Sequence, residues 1–111
     1  MRSATGLGEF EQMVLLAILR LSNNAYGVTV RAEILACTGR EPAPGALYTT
    51  LDRLEEKRMV SSRLGNPTPQ RGGRPKRFFM VSAIGMEAVA HAQRCYRRLW
   101  EGLELPGGAN G

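Results

Sequence analysis

The chain has 111 residues, 43% of them hydrophobic, and a formal net charge of +5, which sets its scale at one domain with a modest core and excludes two. Its longest unbroken apolar run, Met13 to Leu19, is far short of a membrane span, and Glu9 and Glu11 before it with Arg20 after it argue against a signal peptide. Cys37 and Cys95 lie far apart without a CxxC pair, so no disulfide framework is expected, both thiols are expected to stay reduced, and the expected location is the cytoplasm.

Residues 1–7 are small and polar and read as a frayed end. Gly8 to Leu21 then reads as a helix, with Phe10, Met13, Val14, Ala17, Ile18 and Leu21 at the helical period. Leu15, Leu16 and Leu19 are additional apolar residues. A helix apolar on more than one face is covered from more than one side, and a second copy of the chain is the expected cover, because so small a domain has few elements to wrap it. Ser22-Asn23-Asn24 reads as a turn in which Asn24 caps the next helix. That helix is expected from about Ala25 to Cys37, with Tyr26, Val30, Ile34 and Cys37 facing the core and Gly39 as its left-handed stop.

Pro44 suits the first position of a third helix, since its missing N–H would be unpaired there in any case. This helix is expected to reach about Arg58. Leu47, Leu51 and Leu54 form its buried stripe. Thr49, Arg53 and Glu56 lie opposite that stripe, with Gly45, Ala46 and Asp52 nearby. The exposed strip is therefore made largely of small residues with one arginine, and such a strip approaches another surface closely. Met59 to Arg63 and Arg77 to Val81 read as two short strands. The loop between them is rich in Gly and Pro and reads as extended. Ser82 caps a final helix of about twenty residues, in which Val89, Ala92, Tyr96, Leu99 and Leu103 repeat at spacings of 3 and 4.

The charge is concentrated. Residues 53–81 hold eight basic and two acidic side chains, whereas residues 1–52 hold four and five, and residues 82–111 hold three of each. No acid occurs between Ser61 and Val81, a stretch that carries Arg71, Arg74, Lys76 and Arg77. A small-faced helix beside a cationic hairpin is what a winged helix-turn-helix needs: the helix enters the major groove and the hairpin grips phosphate or the minor groove. A solvated helix beside a basic surface loop is the bland alternative.

The run YTTLDRLEEKRMVSSR, with Gly45 and Tyr48 at its start, resembles the PadR family of bacterial transcriptional regulators. So do GGRPKRFFMVSAIG, the N-terminal LGEFEQMVLLAILRL and the AYGVTVRAEI after it, so that the resemblance runs from about residue 7 to residue 103. It implies a cytoplasmic, dimeric winged-helix repressor of the type with a short C-terminal helix. The chain departs from the pattern at Ala43 and Pro44, which stand where a polar cap of the recognition helix is expected.

Candidate DNA contacts follow from the residues themselves. Arg53 has the planar fork that bonds guanine O6 and N7 together; otherwise it forms an exposed salt bridge with Glu55 or Glu56. Thr49 and Thr50 offer contacts to phosphate or a thymine methyl, or are ordinary exposed helix residues. Tyr48 either donates its hydroxyl to a phosphate or packs on the core. Tyr26-Gly27, at a helix start, presents backbone N–H groups to phosphate, unless Gly27 serves only close helix packing. In the loop, Gly72-Gly73-Arg74-Pro75-Lys76 lets backbone approach a duplex with two cations at its tip. Trp100 either stacks on a flat aromatic effector or anchors an interface. His91 and Cys95, at i and i+4, have the geometry of two metal ligands, but no nearby pair supplies a third or fourth, so the pair reads as a coincidence of the helix surface and no metal is expected. No cofactor is expected, and with no phosphate loop and no Ser/His/Asp set, neither is catalysis.

The reading is a mostly α fold, a winged helix-turn-helix over residues 1–81 with a two-stranded β wing. A dimerisation helix over residues 82–105 packs on it within one structural domain. The expected function is a homodimeric regulator, a repressor on an inverted repeat of double-stranded DNA, with no membrane partner. Its dimer interface is expected at Leu15, Leu16, Leu19, Val89, Ala92, Tyr96, Leu99, Trp100 and Leu103. A winged-helix protein-interaction module without DNA binding is the alternative.

Overall fold

A computed structural model describes residues 6–65 and 75–106. The order is helix α1 (Glu9–Leu21), a 3-10 turn (Ser22–Asn24), α2 (Gly27–Thr38), α3 (Pro44–Glu56), β1 (Val60–Leu64), β2 (Arg77–Val81) and α4 (Ala83–Trp100). The two strands form one antiparallel hairpin with Val60 opposite Val81 and Leu64 opposite Arg77. The mostly helical, winged fold expected from the sequence is the one observed, and most element ends fall within two residues of their expected places.

The core draws on all four helices and both strands. Val14, Leu15, Ala17 and Ile18 of α1 meet Val30 and Ile34 of α2, and Leu47, Leu51 and Leu54 of α3 close the centre. Phe79 and Val81 come from the wing and Ala88 from α4. Leu15 is fully buried here, which corrects its expected place in a dimer interface. The reason is that α1 packs against α2, α3, β2 and α4 together, so the protomer itself wraps the additional apolar face. Leu16 and Leu19 remain exposed.

Two local expectations also change. Asn24 does not cap α2: the Thr29 hydroxyl accepts from the Tyr26 N–H at 2.9 Å and donates to the Asn24 carbonyl at 2.7 Å. Cys37 is exposed rather than core-facing, with its Sγ 3.6 Å from Glu33 Oε2 on the outer side of α2. Gly39 takes the left-handed conformation expected of a helix stop, φ 75°.

The N-terminus of α1 is tied to the end of α3. Glu11 is buried and accepts from the Gly8 N–H at 2.9 Å and from Lys57 Nζ at 3.0 and 2.9 Å on its two oxygens. Burial by itself raises the Glu11 pKa; the Gly8 N–H and the Lys57 ammonium outweigh it, with a further pull from the charge of Arg53, and the carboxyl ends below its ordinary value.

Helix α4 starts on a firm anchor. Ser82 Oγ accepts from the Gly85 N–H at 3.1 Å and donates to the Arg58 carbonyl at 2.6 Å. Gly85 sits so close to the hairpin that a Cβ there would lie 2.3 Å from the Met59 carbonyl oxygen. The helix then leaves the body of the protein. Gly85 and Ala88 are buried, Val89 to Ala92 are half-buried, and every residue from Gln93 to Trp100 is exposed.

Candidate nucleic-acid interface

The face of α3 opposite its leucines carries Gly45, Ala46, Thr49, Asp52, Arg53 and Glu56, all exposed. Pro44 at the first position fixes the entry, and Ala43 before it caps without a side-chain hydrogen bond. The first turn still closes, with the Leu47 N–H on the Ala43 carbonyl at 3.0 Å. Nothing lies within 4 Å of the place where a Gly45 side chain would start, so the start of α3 presents bare backbone. Thr50 is buried, which corrects its expected place among the DNA contacts. It lies between Leu47 and Leu54 on the helix surface, so the small side chain fills the core edge.

Arg53 is exposed and, among the described residues, makes no ion pair with Glu55 or Glu56. Glu55 is engaged elsewhere. Arg77, at the start of β2, reaches back to Asp52 at 3.3 Å and forms a short ion pair with Glu55. Ser62 completes the knot, donating to Glu55 Oε2 at 2.9 Å and accepting from Arg77 Nε at 3.2 Å. Arg77 therefore braces the wing against α3 and neutralises carboxylates beside the exposed strip; it is not a free loop cation. Sequence reasoning missed this role because its partners lie 22 and 25 residues away.

The wing is also tied to the start of α2. Tyr26 bridges to Phe78, and the Phe79 N–H donates to the Ala25 carbonyl at 2.8 Å. The two rings meet edge to face at 5.4 Å. Cations cover both: Lys76 Nζ stands 4.5 Å from the Tyr26 ring centre and Arg63 stands 4.9 Å from that of Phe78. The Tyr26 N–H, spent on Thr29, is not available to a phosphate. Gly27 serves close packing, since a Cβ there would lie 1.9 Å from the Tyr48 hydroxyl. Tyr48 is half exposed and rests its hydroxyl on that turn of α2, so α2 and α3 are locked together at the edge of the strip. Arg71 and Arg74 lie outside the described residues.

The arrangement is thus one surface: a small-residue strip with Arg53, bordered by Lys76 and Arg63 of a braced wing. Nothing in it resembles a catalytic site, and among the described residues no group of three metal-ligating side chains gathers. The sequence model of the transcriptional regulator PadR-like family matches residues 15–91. The chain belongs to the PadR-like family of transcriptional regulators. As a PadR-like protein it is a regulator of winged-helix fold, in a family not known by an enzymatic activity. RosR of H. salinarum is similar in structure, with a TM-score of 0.70 at 20% identity over 92% of this chain and 84% of that one. A PadR-like transcription factor of Bacteroides fragilis gives 0.66 at 19% identity, covering 83% and 84%. A PadR family regulator of Clostridium difficile R20291 gives 0.64 at 18%, covering 81% and 90%. No curated protein matches the chain. Among the described residues no helix is long and apolar enough to cross a membrane.

The expected interface residues divide. Tyr96, Leu99 and Trp100 are exposed on the protruding end of α4 and Leu103 just beyond it, Leu99 by 70%. Val89 packs on the protomer's own core, and Ala92 is half-buried beside it. The stripe first crosses its own domain and only then runs clear of it.

Proposed function

We propose that this PadR-like protein is a cytoplasmic, sequence-specific double-stranded-DNA-binding repressor that acts as a homodimer on an inverted repeat. The observation that carries the reading is the strip on α3. Small residues and Arg53, which forms no ion pair among the described residues, face outward, Asp52 and Glu55 beside them are held by Arg77, and the wing carries the chain's charge excess. The first half of α3 enters the major groove, because Gly45, Ala46 and Thr49 permit close approach whereas Glu56, which Arg77 does not hold, would repel phosphate. Arg53 reads a base edge; Tyr26 and Tyr48 hold the frame. Lys76, with Arg71 and Arg74, grips the backbone.

The dimer rests on the exposed end of α4. A contiguous run of Tyr96, Leu99, Trp100 and Leu103 in water is costly on a lone protomer. A second copy covers it, with Leu16 and Leu19 at the margin. Trp100 anchors that contact, and a flat aromatic effector would stack there. Selection of bound sites from a random duplex pool tests the reading. It should enrich an inverted repeat whose half-sites lie about 34 Å apart, one duplex turn. Enrichment of nothing would leave a winged-helix protein-interaction module.

A further inference from the structure

The outward strip of α3 carries an acid near its centre. On a helix of about 100° per residue, Asp52 falls within about 60° of Thr49 and about 20° of Gly45, closer to the direction opposite the leucines than Arg53 is. Its side chain is 63% exposed. The rise from Thr49 is only about 4.5 Å, so a groove that admits Thr49 also receives Asp52. Phosphates line both edges of that groove, and an exposed carboxylate there opposes binding unless a donor meets it.

The surroundings of Asp52 hold it in one pose. Arg77 spends Nη2 on Glu55 and Nε on Ser62, whose hydroxyl donates to the other Glu55 oxygen. That knot braces the wing without Asp52. Nη1 is left over, and it donates to Asp52 Oδ1 at 3.3 Å. Among the described residues nothing donates to Asp52 Oδ2. The carboxylate is therefore fixed at one oxygen, beside a cation that offsets its charge, with the second oxygen open. Glu56 shares the face without that support and lies about 6 Å further along, toward the end of α3 away from the groove.

A carboxylate only accepts, so it suits a base edge that only donates. In the major groove guanine offers acceptors, thymine an acceptor and a methyl, and adenine an acceptor beside its amino donor. Cytosine alone offers a donor, its N4 amino group, with no acceptor next to it. We infer that Asp52 is a specificity-determining residue whose free oxygen accepts from the N4 amino group of a cytosine, in the pose that Arg77 holds. This rests on the reading of α3 as the helix that enters DNA. Arg53 projects about 100° further round the helix and addresses a different base pair.

The test selects bound sites from a random duplex pool with the parent chain, Asp52→Asn and Asp52→Ala, with circular dichroism as the folding control. The parent should prefer cytosine at one position of the site by about fivefold or more. Asparagine bonds adenine N6 and N7 together, so Asp52→Asn should move the preference at that position from cytosine to adenine. Asp52→Ala should leave the position indifferent. Selected sites that are unchanged at every position in both variants overturn the assignment. So does a uniform gain in affinity on selected and unrelated duplexes, which would make Asp52 only a repeller of phosphate. A parent chain that enriches nothing overturns the reading of α3 itself, whereas a parent site untouched by Asp52→Asn overturns the cytosine contact alone.

Discussion

Gly85 is where the placement of α4 is most sharply determined. In Gly85→Ala the new Cβ would lie 2.3 Å from the Met59 carbonyl oxygen and 2.8 Å from Val81 Cγ1, whereas ordinary contacts begin at 3.4 Å. The obstruction is backbone and cannot swing aside, so α4 must retreat by about 1 Å, a distance at which a packed surface loses much of its contact energy. The same carbonyl accepts the Ser82 N–H at 2.9 Å, and that bond suffers with the retreat. Overpacking of this kind costs about 1–3 kcal/mol, and the damaged hydrogen bond adds about 1. Greater helix propensity of alanine returns less than about 1 kcal/mol in a first turn. The net expectation is a loss of about 2 kcal/mol, or roughly 8 °C in Tm for a domain of this size. Urea unfolding followed by circular dichroism measures it. Gly45→Ala is the control, since nothing lies within 4 Å of its Cβ and its stability should stay the same or rise slightly. A Gly85→Ala protein with an unchanged midpoint and slope would refute the close approach of α4 to the hairpin.

Arg53→Ala should cost about 1–3 kcal/mol on the selected site and relax its preference at one base step, with little change on unrelated duplex. Lys76→Ala should weaken all duplexes alike and lower the salt slope by about one unit; equal losses on specific and unrelated DNA in Arg53→Ala would make that residue a phosphate contact instead. Leu99→Asp with Leu103→Asp should give a folded, monomeric, non-binding protein by sedimentation and circular dichroism, and a double variant that stays dimeric would remove α4 from the interface. Because the folded pKa of Glu11 is lowered, its contribution to stability is present above its ordinary value of 4.5 and is lost as pH falls through the folded pKa. Lys57→Met removes the cation responsible, so its deficit against the parent should shrink between pH 7 and pH 3; urea titrations showing a constant deficit would contradict the pair's role.

Much of the candidate surface was legible before any coordinates. Leu47, Leu51 and Leu54 fix one side of α3 by their spacing, and that places Gly45, Thr49 and Arg53 on the other side by geometry alone. The hairpin announces itself through a Gly and Pro-rich, acid-free segment between two short apolar runs, and Gly39 marks a helix stop because only glycine takes its left-handed turn freely. These features are local, and local chemistry determines them.

What the sequence left open depends on residues meeting across long stretches of chain. A helix with leucines on several faces does not say which are covered by its own domain, and Leu15 went to the protomer's core because α1 is wrapped by α2, α3, β2 and α4 at once. Thr50 was sealed by the same closure. Arg77 looks like one more wing cation until the fold carries it to Asp52 and Glu55, where it braces the hairpin and quiets the charge beside the exposed strip. The helical period determined which side of each element is apolar. Only the tertiary structure decided what each apolar side meets, because burial is a property of the assembled surface and not of the segment.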